Sequence, residues 1–320
     1  MKFPRSILIQ EQEIPGSIDV SSIGKQVHTR RGHSRDNDRY PIALGNNLRF
    51  EESLILNTIH PTEDPFVLRQ DEVGVSTLTL NRPKQYNALS QAMLSALQAA
   101  LDAVAADDSI RVVVIAGSGK AFCAGHDLKE MRAQCEQSFH QALFAQCGQL
   151  MLSLNRLPQP VIARVHGIAT AAGCQLVAAC DLAVASEDAR FAVSGINVGL
   201  FCATPGVALS RNLGRKQALE MLLTGEFIDA ATAQSQGLIN RVVPLEQLDA
   251  EVNRLADAIC SKSPLAIRMG KELFYQQLGL PLEEAYASAS TVMACNMNSE
   301  DAREGIDAFI AKRKPAWKGR

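Results

Sequence analysis

The 320-residue chain has little net charge and no long apolar run, and both absences narrow its function. Its formal net charge is -2, and no arginine-rich stretch stands out in it. The composition therefore gives no electrostatic reason to expect a nucleic acid partner. No apolar run is long enough to cross a bilayer, so we expect no membrane partner either.

The eight cysteines form no CxxC pair. Most lie in apolar surroundings, which is typical of reduced core thiols, and we predict no metal site. The N-terminus has no secretory apolar segment, and Glu11, Glu13 and Asp19 argue against a transit peptide. These features predict a cytoplasmic location.

Three regions differ in their patterns. Residues 1–65 mix charged residues and turn formers, and their apolar residues show no sustained helical or strand periodicity. This pattern predicts a poorly ordered or appended extension. Residues 66–259 alternate apolar runs with helical patterns, and residues 260–320 are helical throughout. In the apolar runs both faces of the strand are apolar, which is typical of strands buried on both sides. We therefore predict an α/β fold with parallel strands packed under helices.

The stretch from Pro160 to Asp181 is the most informative part of the chain. Residues 161–165 form an apolar, β-branched run that predicts a buried strand, and Gly167 predicts a turn. The small residues from 171 to 180 include the polar side chain of Gln175. The Ala-Ala-Gly sequence at 171–173 leaves the N–H groups of a helix start accessible, which indicates an anion or oxyanion site.

Helical periodicity predicts the other main elements. Asn87 is expected to cap a helix over residues 88–106, and Pro158 to end a long helix over residues 136–157. Apolar faces in the C-terminal region require a partner, either within the subunit or across an interface. Past Leu245 four helices are predicted: 246–261, 264–278, 282–297 and 300–311.

Six blocks of sequence, in their order and spacing over about residues 66–320, resemble the enoyl-CoA hydratase/isomerase (crotonase) family. They are NRPKQYNALS, KAFCAGHDLKEM, PVIARVHGIATAAGCQLVAACDLAVAS, FAVSGINVGL, LTGEFIDAATAQSQGLINRVV and EGIDAFIAKRKPAW. The resemblance implies a ClpP-like spiral of ββα turns. It also implies a helical C-terminal region that forms homotrimers, often paired into homohexamers.

The resemblance implies an acyl-CoA thioester as the substrate, with coenzyme A as part of it and no separate cofactor. In that family an enolate oxygen is held by two backbone N–H groups, which by resemblance belong here to His126 and Ala172. Ala172 stands where many relatives carry glycine, and a backbone donor tolerates that change. Residues from three parts of the chain are expected to contact coenzyme A: Lys84, Asp127, Leu128, Lys129, Phe309 and Lys312.

Two positions depart from the family pattern. Hydratases of the family use two glutamates, and the matching positions here are Gln175 and Gly195. An amide cannot accept and return a proton near neutral pH, and glycine has no side chain to do so. The sequence therefore predicts a poor hydratase or none. Two functions stay open: an acyl-CoA enzyme with altered proton-transfer groups, and a catalytically silent acyl-CoA-binding or regulatory protein.

Some side chains near the predicted site have two interpretations. The imidazole of His126 could replace the missing base, or only its backbone could act. Gln175 could orient a water or the thioester by hydrogen bonding, or its amide could simply find hydrogen-bond partners within the core. The other polar or reactive side chains are expected to be structural: Asp127, His166, Asp181, Cys123 and Cys174.

Overall fold

The structure is a computed structural model that describes residues 64–320. The predicted extension of residues 1–65 lies outside the described residues, apart from its last two. The strands are β1 Val67–Glu72, β2 Val75–Leu80, β3 Val112–Gly117, β4 Val161–Val165, β5 Ile168–Thr170, β6 Leu182–Ser186, β7 Arg190–Ala192, β8 Ile228–Asp229 and β9 Arg241–Val243. The helices are α1 Gln91–Ala105, α2 Leu128–Ala133, α3 Gln137–Arg156, α4 Ala172–Ala179, α5 Ala203–Asn212, α6 Arg215–Thr224, α7 Ala230–Ser235, α8 Leu248–Cys260, α9 Pro264–Gln277, α10 Leu282–Met297 and α11 Glu300–Ile310.

The larger sheet has six strands in the order β1-β2-β3-β4-β6-β9. Strands β1 and β2 pair antiparallel, and each later neighbour pair is parallel. All six residues of β3 are buried, as its two-sided apolar run predicts. Helix α8 covers one face of the sheet and packs Leu248 and Val252 against Val114 and Ile162. The predicted α/β class with parallel strands is confirmed.

A smaller sheet has the order β5-β7-β8 and carries the chain from the larger sheet to α4. The turn at Gly167, where φ is +62°, connects β4 to β5 as predicted. A Cβ on Gly167 would collide with the carbonyl oxygen of Lys120, so glycine is required there. The sequence did not predict β5, which separates this turn from the helix.

Asn87 does not cap α1, so that prediction is wrong. The cap is Ser90, whose hydroxyl accepts a hydrogen bond from the N–H of Met93 at 3.2 Å. Asn87 is instead fully buried, and its side-chain amide donates to three backbone carbonyls of the loop after β3. A buried amide must satisfy its hydrogen-bonding groups, and this loop supplies the acceptors.

The other helix predictions are accurate to within about two residues. The predicted helix 136–157 is α3, and the four C-terminal predictions correspond to α8, α9, α10 and α11. Within residues 64–320, no helix combines the length and apolarity needed to span a bilayer.

Helix α9 connects the C-terminal region to the core through a buried ion pair. Lys271 Nζ lies 2.6 Å from Asp181 Oδ2 and also donates to two backbone carbonyls near the α3–β4 connection. Tyr275 donates its hydroxyl to Asp181 Oδ1 at 2.7 Å, and Asp181 Oδ2 accepts from the N–H of Val161. Burial lowers the pKa of Lys271. The expectation that Asp181 anchors the start of a strand is confirmed.

The C-terminal tail folds back onto the helices. Trp317 donates its indole N–H to the carbonyl of Ser261 at 2.7 Å. Glu304 accepts from the Arg313 guanidinium at 2.8 Å and from the N–H of Ala316 at 2.7 Å. The hydrogen bond from Arg313 is the main cause that lowers the pKa of Glu304 to about 2.

Candidate active site

The loop of residues 123–127 lies between the start of α1 and the smaller sheet. The N–H of Leu89 donates to Gly125 O at 2.8 Å, and the N–H of Asp127 donates to Leu89 O at 3.4 Å. On the other side, Cys123 exchanges two backbone hydrogen bonds with β5. Because Leu89 pairs with the residues on either side of His126, the N–H of His126 takes no part in this ladder.

Helix α4 begins against the same loop. A Cβ on Gly173 would collide with the carbonyl oxygen of Cys123, so glycine allows the close approach. The N–H of Gln175 donates to the carbonyl of Ala171, which is the first hydrogen bond of the helix. Ala172, the first helical residue, is 1% exposed. Its N–H precedes that bond and points out of the helix.

Gly125 brings the two predicted donor segments together. A Cβ added to it would lie 3.1 Å from the backbone N of Ala172 and 2.8 Å from the Cβ of Ala171. Within residues 64–320, neither the N–H of His126 nor that of Ala172 has a hydrogen-bond acceptor. Two unpaired amides, one of them at a helix N-terminus, can stabilise a developing negative charge.

The side chain of His126 is half-buried and has a defined tautomer. Its Nδ1 lies 3.2 Å from Leu89 O, and because a carbonyl only accepts, Nδ1 carries the proton. Nε2 is then an acceptor, and it is buried without a partner. The ring meets Phe144 of α3 edge-on, with 5.4 Å between centroids. Burial lowers the pKa of His126, so the imidazole is neutral at pH 7.

The two positions predicted to match the family's glutamates, Gln175 and Gly195, differ in the space around them. Gln175 is 4% exposed on α4, and its Oε1 is buried without a partner. Gly195 lies in a 3-10 turn, where a Cβ would be 2.6 Å from Leu200 O and 2.7 Å from the Cys202 sulfur. A larger side chain at residue 195 therefore requires the following segment to move. Burial raises the pKa of Cys202, so its thiol stays protonated at neutral pH.

Four of the predicted coenzyme A contacts lie beside the loop of residues 123–127. Lys84 is exposed in the 3-10 turn Pro83–Gln85. This turn lies beside the loop, because the N–H of Ala124 donates to the carbonyl of Tyr86, the residue after the turn. Asp127 accepts from the N–H of Lys129 at 3.0 Å and caps α2, as expected. Leu128 and Lys129 are exposed in the first turn of that helix.

The other two predicted contacts lie in the C-terminal region. Phe309 is 85% exposed on α11, which packs against α9 and α10, and Lys312 follows the end of that helix. Among the described residues, no hydrogen bond or ion pair links them to the loop of residues 123–127.

The side chains expected to be structural have structural partners. His166 Nε2 lies 2.9 Å from Gly119 O, and its Nδ1 lies 3.3 Å from Arg164. Cys123 and Cys174 are fully buried, and burial raises the pKa of each thiol to about 12. Both thiols are protonated and inert at neutral pH.

Two residues that build this site were not found from the sequence. They are Asn87, which holds the loop after β3, and Gly125, which allows contact between the donor segments. Glycine often marks a close backbone approach, and this signal could have identified Gly125.

The two sheets, the ββα spiral and the C-terminal helices define an α/β protein of the crotonase fold. A sequence model of the family described as enoyl-CoA hydratase/isomerase matches residues 70–320, and the chain belongs to that family. It is 46% identical over 267 residues to the enoyl-CoA hydratase domain-containing protein 3, mitochondrial, of Xenopus laevis, which covers 83% of this chain and 91% of that protein.

Solved structures agree with this assignment. A Mycobacterium smegmatis enoyl-CoA hydratase is 61% identical, with a TM-score of 0.78 over 79% of this chain and 99% of that one. Human enoyl Coenzyme A hydratase domain-containing protein 3 is 45% identical, with a TM-score of 0.77 over 79% of this chain and 100% of that one.

The predicted cytoplasmic location is wrong. The similar proteins of frog, rat, mouse and human all carry the word mitochondrial in their names. Reduced thiols indicate a reducing environment and do not distinguish one such compartment from another. The early acidic residues on which the prediction also rested lie outside the described part of the chain.

Proposed function

We propose that the protein acts on acyl-CoA thioesters and stabilises a thioester enolate with the backbone N–H groups of His126 and Ala172. The observation that carries the proposal is the contact at Gly125, which brings together two amides without acceptors at the start of α4. The nominal reaction is that of an enoyl-CoA hydratase or isomerase in fatty-acid metabolism, as the names of its relatives suggest.

We further propose that coenzyme A binds along the surface beside the loop of residues 123–127. Two exposed lysines there, Lys84 and Lys129, supply positive charge for phosphate groups. In this proposal Phe309 and Lys312 complete the surface from the C-terminal region of a second subunit, since both side chains are exposed. The assembly implied is a homotrimer or a homohexamer.

A second function is favoured by the two positions of the usual glutamates. Gln175 presents an amide, and the space beyond Gly195 is taken by Leu200 O and the Cys202 sulfur. Neither position offers a carboxylate for proton transfer. The alternative is a catalytically silent acyl-CoA-binding or regulatory protein with the donor amides intact.

The proposal is tested by titrating the protein with crotonyl-CoA and following the enoyl thioester absorbance. We expect micromolar binding, and turnover above a buffer control if the protein is an enzyme. Gly125→Ala places a methyl group 3.1 Å from the N of Ala172. Turnover should fall about 100- to 1,000-fold, as on loss of one oxyanion donor.

The matched control is Gly148→Ala on α3, where a Cβ meets no atom within 4 Å. It should bind and turn over crotonyl-CoA like the wild type, and circular dichroism checks the fold of both variants. Binding without turnover supports the silent binder. A folded wild-type protein that binds no acyl-CoA refutes both functions.

A further inference from the structure

A polar cavity lies on the face of the larger sheet that α8 covers. It has a volume of about 310 Å³, and residues of β2, β3, β4 and α8 line it. This volume is at the lower end of the range of small-molecule sites. The lining includes no residue of the candidate active site, whose donor loop bonds to Leu89 at the start of α1. Leu89 belongs to the core on the opposite face of the sheet, together with Leu78 and Leu80 of β2.

The strand register brings the polar side chains of the cavity together. Thr77 of β2 pairs with Val114 of β3, and Val114 pairs with Ile162 of β4. Thr79 and Arg164 lie two residues after Thr77 and Ile162, and alternate residues of a strand share a face. Because Val114 and Ile162 pack against α8, the two threonines and the arginine also face that helix.

Arg164 is held on two sides and keeps one nitrogen available. Its Nε donates to the carboxylate of Asp249 on α8, and its Nη1 donates to His166 Nδ1 at 3.3 Å. His166 Nδ1 is an acceptor because Nε2 carries the proton and donates to Gly119 O at 2.9 Å. Within residues 64–320, Nη2 of Arg164 has no acceptor.

The charges and donors of the cavity favour an anion. The hydroxyls of Thr77 and Thr79 have no hydrogen-bond partner within residues 64–320, so they add to the donors of Nη2. The side chain of Arg164 is 20% exposed, whereas that of Asp249 is 71% exposed. Water therefore screens the carboxylate more than the guanidinium, and the interior of the cavity attracts negative charge.

The rest of the lining is apolar and favours an organic anion. It includes Val114 and Ala116 of β3 and Val252 of α8. We propose that the cavity binds a short-chain organic carboxylate. The carboxylate accepts charge-assisted hydrogen bonds from Arg164 and the two threonine hydroxyls, and the alkyl chain packs on the apolar side chains. This site is separate from the proposed acyl-CoA site.

The test is a calorimetric titration of the full chain with butyrate, acetate and inorganic phosphate. Butyrate should bind about tenfold more tightly than acetate, because its two further methylene groups are buried. Phosphate should bind more weakly than butyrate, since it has no alkyl chain. Phosphate that binds as tightly as butyrate overturns the proposal, as does the absence of butyrate binding at millimolar concentration.

Substitutions in the cavity separate its groups. Arg164→Met should weaken butyrate binding about tenfold or more, as on loss of a hydrogen bond between charged groups. Thr77→Val and Thr79→Val keep the shape and the Arg164 contacts, and each should weaken binding about two- to tenfold. Asp249→Asn should strengthen binding because it removes a negative charge. Weaker binding by Asp249→Asn would indicate a ligand with an ammonium group and overturn the anion assignment.

The matched control is Arg254→Met, which removes an arginine of α8 that pairs with Glu251 and does not line the cavity. It should bind butyrate like the wild type, and circular dichroism checks the fold of each variant. Gly125→Ala should also keep wild-type butyrate affinity. Loss of butyrate binding in Gly125→Ala would place the carboxylate at the candidate active site and overturn the proposal. So would wild-type affinity in folded Arg164→Met, and either result leaves the acyl-CoA function standing.

Discussion

Ala171 has the least usual backbone among the residues of the candidate site. Its φ is 50° and its ψ is -120°, a conformation that favours glycine, at the position immediately before α4. This conformation is fixed on both sides, because its N–H donates to Ala192 O and its carbonyl accepts from the N–H of Gln175. Strain of this kind costs about 1–3 kcal/mol and concentrates at functional sites.

Ala171→Gly should remove this strain. We expect the free energy of unfolding to rise by up to about 1 kcal/mol, because glycine adopts positive φ without a steric penalty. Urea unfolding followed by circular dichroism measures the change. In the control, Ala178→Gly within α4, the same substitution should destabilise by about 0.5–1 kcal/mol. Equal losses in both variants would show that Ala171 is not strained.

At this scale, the sequence predicted which segments meet better than it predicted the space around them. His126 and Ala172 are the candidate donors by resemblance to the family, and their two segments are in contact. The crowding around Gly195 depends on Leu200 and Cys202, whose positions are set by the path of the chain. No local pattern encodes such a contact.

Among the secondary-structure elements, α9 has an unusual attachment to the core. Lys271 is buried, with its side chain 7% exposed, and all its partners lie in the α/β core. Asp181, at the end of α4, accepts from both Lys271 and Tyr275. The C-terminal region is thus fixed to the same helix that begins at the candidate site.

Breaking this ion pair should destabilise the whole chain. Lys271→Met leaves the carboxylate of Asp181 without its cation, which costs about 3–5 kcal/mol for a buried pair. Tyr275→Phe removes one hydrogen bond to a charged group, at a cost of about 1.5–3 kcal/mol. Urea unfolding measures both changes.

Lys318→Met provides the comparison for Lys271→Met. Lys318 pairs with Glu300 at 3.1 Å, but its side chain is 59% exposed. Its loss should cost at most about 1 kcal/mol, as for other surface pairs. If both lysine variants lost the same stability, the buried pair would not be what holds α9 to the core.

Helices could be predicted where the apolar periodicity extended over several turns, whereas short strands could not be predicted. Helices α3 and α10 match their predicted ranges closely because each shows several turns of pattern. The start of α1 was misplaced because both Asn87 and Ser90 are good caps, and only the burial of Asn87 decides between them. Strand β5 has three residues, too few for any period.

At the scale of the whole molecule, the C-terminal helices leave an apolar face uncovered. Three residues of α10 on one side of the helix, Tyr286, Met293 and Met297, are 69%, 77% and 58% exposed. Exposed apolar patches of this kind mark association surfaces. Further copies of the same chain are the partners that the proposed trimer requires.

Met293→Glu should weaken the proposed assembly. A buried, unpaired carboxylate at a subunit interface is unfavourable, so sedimentation velocity should show a shift from trimer or hexamer towards monomer. Val73→Glu is the control, because Val73 is 91% exposed in the turn between β1 and β2. It should sediment like the wild type. A monomeric wild-type protein at micromolar concentration would contradict the proposed assembly.

The packing of the C-terminal tail against the helices can be followed by intrinsic tryptophan fluorescence. Trp317 is the only tryptophan in the sequence, and its indole N–H is held by Ser261 O. Its emission wavelength therefore reports one event, the lifting of the tail from the helices, with no attached dye. The pKa of Glu304 is lowered from 4.5 to about 2, so its carboxylate stays ionised as the pH falls below 4.5. The ion pair with Arg313 should therefore persist at pH 4 and be lost only as the pH approaches 2.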